Sequence, residues 1–344
     1  MKYQFSIRFQ KNTSTSAASK AVLDCSKLFL AKGYIDYSFT VWDNKHKISY
    51  YLRLLKGILT FLASIKKNSI VGVQYPLLSI NNIFRYFIRA ARLKNIKFFC
   101  IIHDLESLRT GGKNLLLIKK EIDNLHFFDC VIAHNDKMKM WLECNGYKNS
   151  ILSLGLFDYL ASPIKAEYLP SITTIVFAGN LSKSDFIYSL SAINNWQFTL
   201  YGPNFNAQRN THQQNVAWIG EFNPDEIIDK LEGGFGLIWD GEHIDKCDEV
   251  LGNYLKYNNP HKFSLYIAAG LPVIAPKDSA IAVMIEIFDI GVLINSLNDL
   301  LNLEINELDY LRMKANINKM SEKVRNGDYF SSAIMEAEKI LKND

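Results

Sequence analysis

Short apolar runs that end in Gly, Pro, Asn or Asp, each followed by residues at helical spacing, recur in two successive series along this chain of 344 residues. Strand, turn and helix in alternation imply parallel strands with helices on both faces of a sheet. The first series opens with "KYQFSIRF", a Ser/Thr-rich turn "QKNTSTSA", and "ASKAVLDCSKLFLAKGY", where Val22, Leu23, Leu28 and Phe29 are helically spaced and Gly33 closes the helix. Further strands are expected at "SIVGVQYP", "IKFFCIIHD" and "DCVIAHN". Periodicity stops in "SLGLFDYLASPIKAEYLPS", and the pattern restarts with "TTIVFAGN", "WQFTLYGP", "VAWIGEF", "GFGLIWDG", "LPVIAP" and "IGVLIN". Two domains follow from this, 1–160 and 161–325, with a last segment, 326–344, whose helix from about Tyr329 to Leu341 is expected to return to the first domain. Each is a Rossmann-like, doubly wound α/β domain, and two in tandem are expected to face a cleft at the carboxyl ends of their strands.

Composition narrows the class. The chain is 48% hydrophobic, enough for two cores. Five cysteines, Cys25, Cys100, Cys130, Cys144 and Cys247, are odd in number and scattered, which disfavours a disulfide framework or a zinc site and fits a reducing cytoplasm. The N-terminus lacks the apolar core of an export signal, and no apolar run approaches the length that spans a bilayer. Charge is divided unevenly: residues 1–160 hold 24 Lys and Arg against 11 Asp and Glu, the remainder 15 against 24. A basic surface of that kind admits nucleic acid as a partner in principle, but no binding module or aromatic platform accompanies it, so none is expected.

The stretch "NNPHKFSLYIAAGLPVIAP" carries the clearest chemistry. Asn259 and Pro260 open a helix whose free N–H groups favour an anion, and Lys262 adds a full charge at the same mouth. The same residues equally fit a simple helix cap beside a solvated lysine. A second anion-binding turn is expected in "VFAGNLSKSDF", where Gly179, Asn180 and Lys183 bring backbone N–H groups and a cation to the edge of the second sheet.

Together "YLKYNNPHKFSLYIAAGLPVIAP", "FAGNLSKS", "GLIWDG" and "FFCIIHDLESLR" resemble a bacterial glycosyltransferase family of the GT-B fold. Its members include beta-1,6-galactofuranosyltransferases of polysaccharide gene clusters and the glucosyltransferase that extends N-acetylglucosamine on serine-rich adhesins. The resemblance implies a UDP-sugar held by the second domain and a saccharide acceptor, lipid-linked or protein-linked, held by the first. It places Lys183 and Lys262 at the diphosphate beside Asn259, Gly179 and Asn180, Phe222 at the base or ribose, and Asp240 at the ligand. It brings Thr15 and Ser16 to the donor from the first domain. The paired glutamates of many retaining GT-B transferases are missing, since Tyr257 and Leu265 stand at those places.

An inverting transfer needs a general base, and Asp104 or Glu106, just beyond a buried strand with His103, supplies one, with Arg109 to orient a carboxylate or the acceptor. Asp104 also fits a helix N-cap, and a retaining transfer needs no base. No metal or other cofactor is expected, because lysines and a helix end neutralise the leaving group. The basic helical stretches with Lys56, Lys66, Lys67, Arg85, Arg89 and Arg92 fit peripheral contact with an anionic membrane, and they equally fit packing helices with solvated outer sides. Exposed apolar positions in the first half are compatible with self-association. The expected activity is transfer of a hexose (galactofuranose, galactose or glucose) on the cytoplasmic side of the membrane. The alternatives are a catalytically silent GT-B subunit that stabilises a partner transferase, and a sugar-nucleotide epimerase of the same fold.

Overall fold

The computed structural model describes residues 1–10, 17–42, 47–77, 81–163, 171–210 and 214–343. The chain divides into two compact units, one built on Ala21–Gly155 with the N-terminal strand and Tyr329–Asp344, the other on Leu156–Asp328.

In the first unit six strands, Lys2–Gln10 (β1), Ile35–Trp42 (β2), Ile70–Tyr75 (β3), Lys97–Ile102 (β4), Cys130–Ala133 (β5) and Ser150–Ser153 (β6), form a parallel sheet in the order β2-β1-β3-β4-β5-β6. Helices Ala17–Ala31 (α1), Lys47–Ser64 (α2), Asn81–Arg92 (α3), Glu106–Arg109 (α4), Leu115–Leu125 (α5) and Asp136–Cys144 (α6) make the crossovers. β3 and β5 are buried along their whole length, as strands covered on both faces must be. α2 and α3 pack on one face through Phe61, Phe84 and Phe87 around Phe5, with ring centroids 4.6–5.6 Å apart. Phe29 of α1 packs with Phe99 of β4 and with Phe330 of the chain's last helix, Asp328–Asn343. That helix is tied down by Glu338, which accepts a hydrogen bond from Tyr34 and pairs with Lys2. β2 and β6 had no counterpart among the expected strands: the first is a mixed polar and aromatic run rather than an apolar one, and the second is only four residues long.

The second unit repeats the plan with Thr174–Ala178 (β7), Gln197–Tyr201 (β8), Val216–Gly220 (β9), Phe235–Leu237 (β10), Val273–Pro276 (β11) and Gly291–Ile294 (β12). Its order, β12-β11-β10-β7-β8-β9, is that of the dinucleotide-binding sheet, with the switch point between β7 and β10. Helices Val250–Tyr254 (α7), His261–Ala268 (α8), Ala282–Phe288 (α9) and Glu307–Asn326 (α10) follow, and all six strands coincide with the expected apolar runs. β7, β10 and β11 are almost fully buried, so they read as continuous apolar runs rather than alternating ones. Among the described residues no helix is long and apolar enough to cross a membrane.

Candidate active site

In open α/β sheets ligands gather outside the carboxyl ends of the strands, at the switch point. In the second unit those ends are Gly179 after β7 and Asp240 after β10. α8 delivers a cation there. The Lys262 ammonium lies 2.9 Å from Asp240 Oδ1, donates to the Trp239 carbonyl at 3.0 Å, and stands 4.6 Å from the centre of the Phe177 ring. Both partners of the pair are partly shielded from water, which strengthens their attraction.

The placement of α8 is over-determined. Its Tyr266 hydroxyl accepts the Ala178 N–H at 2.8 Å, the last amide of β7. The Tyr266 ring lies against Gly236 of β10, where an added Cβ would stand 2.3 Å from the ring. At the other end Arg325 and Ser321 of α10 donate to the Ala268 carbonyl, at 2.7 and 3.0 Å, and Lys314 donates to Gly270 at 2.6 Å. Cations at the carboxyl end of a helix complement its dipole. Pro260 is the N-cap rather than part of the first turn, so the fold moves the expected helix start by one residue. Asn259 is buried, and the His261 ring packs on Tyr159 and Phe157 at 5.2 and 6.4 Å. Replacing Tyr266 by Phe leaves the buried Ala178 N–H without its acceptor and is expected to cost about 1–3 kcal/mol, read as a lowered denaturant midpoint with an unchanged slope.

The β7 turn is built as tightly. Asn180 Oδ1 accepts from Ser182 N, Ser182 Oγ and Asn204 Nδ2 at 2.9–3.2 Å, so this side chain holds the turn. Gly202 supports it from β8: at φ +135° it lies so near that a Cβ would stand 1.9 Å from the Gly179 oxygen. Lys183 is exposed and lines a hollow of about 410 Å³ with Ser182, Asp185, Gly241, Glu242 and Glu249. Phe222 lies in another groove of about 310 Å³, beside Tyr201, Thr199, Lys230 and Glu232, which shares no lining residue with the hollow at Lys183.

The carboxylates of that hollow were not among the residues singled out from the sequence. Glu242, His243 and Glu249 bring their ligand atoms within 4.8 Å of one another. His243 Nε2 lies 3.2 Å from Glu249, whose other oxygen accepts the Glu242 N–H at 3.1 Å. "WDGEH", directly after a buried strand, was the available signal.

In the first unit Asp104, Glu106 and Arg109 come together just beyond β4. Arg109 Nη1 lies 3.5 Å from Asp104 Oδ2 and 4.0 Å from Glu106 Oε2. The N-cap position of α4 is Leu105, with no side-chain cap bond. The capping work falls to Glu121 of α5, which accepts from Glu106 N at 2.9 Å, from Ser107 N at 3.0 Å and from the Ser107 hydroxyl. Asp104 is therefore not the helix cap. Burial raises the Glu121 carboxyl above its usual range.

Beside Asp104 in sequence, His103 ends a largely buried polar chain. Ser26 donates to Val22 O at 3.0 Å, Gln74 Nε2 donates to Ser26 Oγ at 2.9 Å, and Gln74 Oε1 lies 2.8 Å from His103 Nε2. Because Gln74 spends its N–H on Ser26, its oxygen accepts, which makes neutral His103 the donor at Nε2. Burial pushes His103 down to about 4. His134, at the end of β5, is pushed down to about 3 by burial and by the nearby His103. Thr15 and Ser16 lie outside the described residues.

The N-terminal domain model of the glucosyltransferase 3-like proteins matches residues 5–156, and their C-terminal domain model matches residues 175–337. The beta-1,6-galactofuranosyltransferase WbbI of Escherichia coli (strain K12) is 31% identical over 294 residues, 82% of this chain and 83% of that one. Two solved structures share the fold across nearly both chains. The lipopolysaccharide outer core galactosyltransferase WaaB, in its apo form, superposes with TM-score 0.61 at 15% identity, covering 98% of this chain and 99% of that one. A trehalose-6-phosphate protein from E. coli bound with UDP-2-fluoro glucose gives 0.60 at 9% identity and the same coverage. With two parallel six-stranded sheets of GT-B architecture and these matches along its length, the chain belongs to the bacterial glycosyltransferase family of the glucosyltransferase 3-like proteins and the beta-1,6-galactofuranosyltransferases.

Proposed function

We propose that the second unit binds a UDP-hexose and that the chain transfers its galactofuranose, galactose or glucose to a saccharide on a lipid or protein carrier. The observation that carries this reading is the position of Lys262, held at the β7–β10 switch point by a helix with three independent anchors. A diphosphate arriving there competes with Asp240 for the ammonium, at the amino-terminal end of α8, whose dipole favours an anion. Lys183 supplies the second cation, so no metal is required to neutralise the leaving group. Glu242 and Glu249 accept hydrogen bonds from sugar hydroxyls. That a protein of the same fold is bound with UDP-2-fluoro glucose supports the choice of nucleotide.

In an inverting transfer Asp104 takes the proton of the acceptor hydroxyl, Glu106 is its neighbour in that role, and Arg109 orients the carboxylate. Replacing Asp104 by Asn is then expected to lower kcat by about 10²–10⁴ while UDP affinity stays unchanged. An unchanged kcat there moves the role to Glu106, and an unchanged kcat in Glu106→Gln as well rejects the base and leaves the retaining route.

The test of the whole reading is UDP release by the purified chain from UDP-glucose, UDP-galactose, UDP-galactofuranose and UDP-N-acetylglucosamine, with and without glycoside acceptors and with EDTA. Release from one donor that rises with acceptor and survives EDTA supports it. Isomerised donor without acceptor identifies an epimerase, and no release together with no UDP binding identifies a silent subunit. No observation favours that last reading.

A further inference from the structure

From residue 44 to residue 103 the chain contains no Asp or Glu and 11 Lys and Arg. Much of this stretch folds into α2 and α3, which lie side by side on one face of the first sheet because both bury phenylalanines around Phe5. Their outer sides therefore form one surface. On α2 it presents Leu52, Leu55 and Leu59, 62%, 45% and 56% exposed, at the spacing of a single helical stripe. Tyr86 on α3 is 57% exposed, and Leu93 just after it 88%.

The cations are interleaved with this stripe. Lys56 is exposed on α2 between Leu55 and Leu59, and Lys66 and Lys67 are exposed just beyond its end. On α3 the exposed Arg89 lies over the rings of Tyr86 and Phe127, at 6.0 and 5.4 Å. Two cations of the stretch have structural work instead. Lys94 caps α2 through the carbonyls of Leu62 and Ile65, and Arg92 pairs with Asp129 at 2.9 Å.

A row of exposed leucines gains from an apolar medium, and a surrounding field of one sign selects the partner that supplies it. A second copy would set cation against cation. An anionic bilayer offers both an apolar interior and a negative surface, and a helix with leucines on one side and lysines beside them lies in its interface rather than crossing it. We propose that the outer face of α2 and α3 docks on an anionic lipid bilayer, with Leu52, Leu55 and Leu59 at the acyl boundary and Lys56, Lys66, Lys67 and Arg89 against the headgroups.

Sedimentation of the full chain with vesicles tests this without donor or acceptor, so its outcome is independent of the UDP-sugar reading. The chain is expected to bind vesicles of mixed phosphatidylcholine and phosphatidylglycerol, to leave them at high salt, and to ignore pure phosphatidylcholine. The charge reversal Lys56→Glu with Arg89→Glu is expected to lower partitioning by about 25-fold, about fivefold for each cation lost. Leu55→Gln with Leu59→Gln is expected to weaken it too, with circular dichroism and UDP affinity unchanged in both variants. Equal binding to both kinds of vesicle, binding to neither, or partitioning unmoved by either variant overturns the proposal. Loss of an oligomer in the leucine variant with vesicle binding intact assigns the face to a contact between copies and overturns it as well.

Discussion

Replacing Lys262 by alanine is expected to raise the UDP dissociation constant about 30-fold or more, the effect of removing about 2 kcal/mol or more from a partly shielded charge contact. The expected loss has two sources. The ammonium that would meet the diphosphate is gone, and Asp240, now 2.9 Å from nothing of opposite sign on α8, is left as a bare carboxylate facing an anionic ligand. The double variant Lys262→Ala with Asp240→Ala separates them. It should recover part of the lost affinity, because the repulsion disappears while the attraction stays lost. Isothermal titration with UDP on the wild type, Lys262→Ala, Asp240→Ala and the double variant gives the coupling directly. An unchanged affinity in Lys262→Ala would remove this lysine from the donor site, and a double variant no better than the single one would show that Asp240 does not face the phosphates. Tyr266→Phe is the control for position, since it loosens the seat of α8 without touching charge.

The central strands of the second sheet were legible because they are buried on both faces. A strand such as β7 or β11 is an uninterrupted apolar run between turn residues, and that signal does not depend on partners. β2 was not legible: in "IDYSFTVW" the polar and aromatic residues alternate without a closing Gly or Pro, and only pairing with β1 along eight residues makes it a strand. Lys262 could be found in the sequence because a Pro, a cation and an apolar helix adjoin one another. Its bond to Asp240 could not, since 22 residues separate the two and the strand order alone joins them. For the same reason Asp104 kept two readings until the fold brought Glu121, 14–15 residues further along, onto the amides that a helix cap would hold. The hollow lined by Lys183, Glu242 and Glu249 likewise exists only once β7 and β10 are neighbours.

Lowering the pH from about 7 to about 5 is expected to destabilise the first unit through two histidines, at a rate that approaches about 1.4 kcal/mol per pH unit for each once the pH is below 6.5. The folded unit holds His103 and His134 with proton affinities depressed to about 4 and about 3, against 6.5 when solvated. Below 6.5 the unfolded chain therefore binds protons that the folded chain refuses, so the stability present above that value is lost as the pH falls. Between pH 7 and pH 5 the pair accounts for about 4 kcal/mol, nearly all of it lost below 6.5, a large share of what holds a typical domain together. Burial explains the refusal: neutral His103 already donates Nε2–H to Gln74, whose own N–H is committed to Ser26, and protonation would place a charge where little water reaches it. Glu121 acts the other way, because burial raises its carboxyl and the folded state gains relative stability as the pH falls. The clean measurement is thus the difference between wild type and His103→Gln, which keeps a donor for Gln74 but cannot titrate. Calorimetric unfolding near pH 5 should show the variant taking up about one proton fewer than the wild type. Equal proton uptake in the two would mean that His103 is protonated in the folded unit, and the buried chain from Val22 to His103 would then be arranged around an imidazolium instead of a neutral ring.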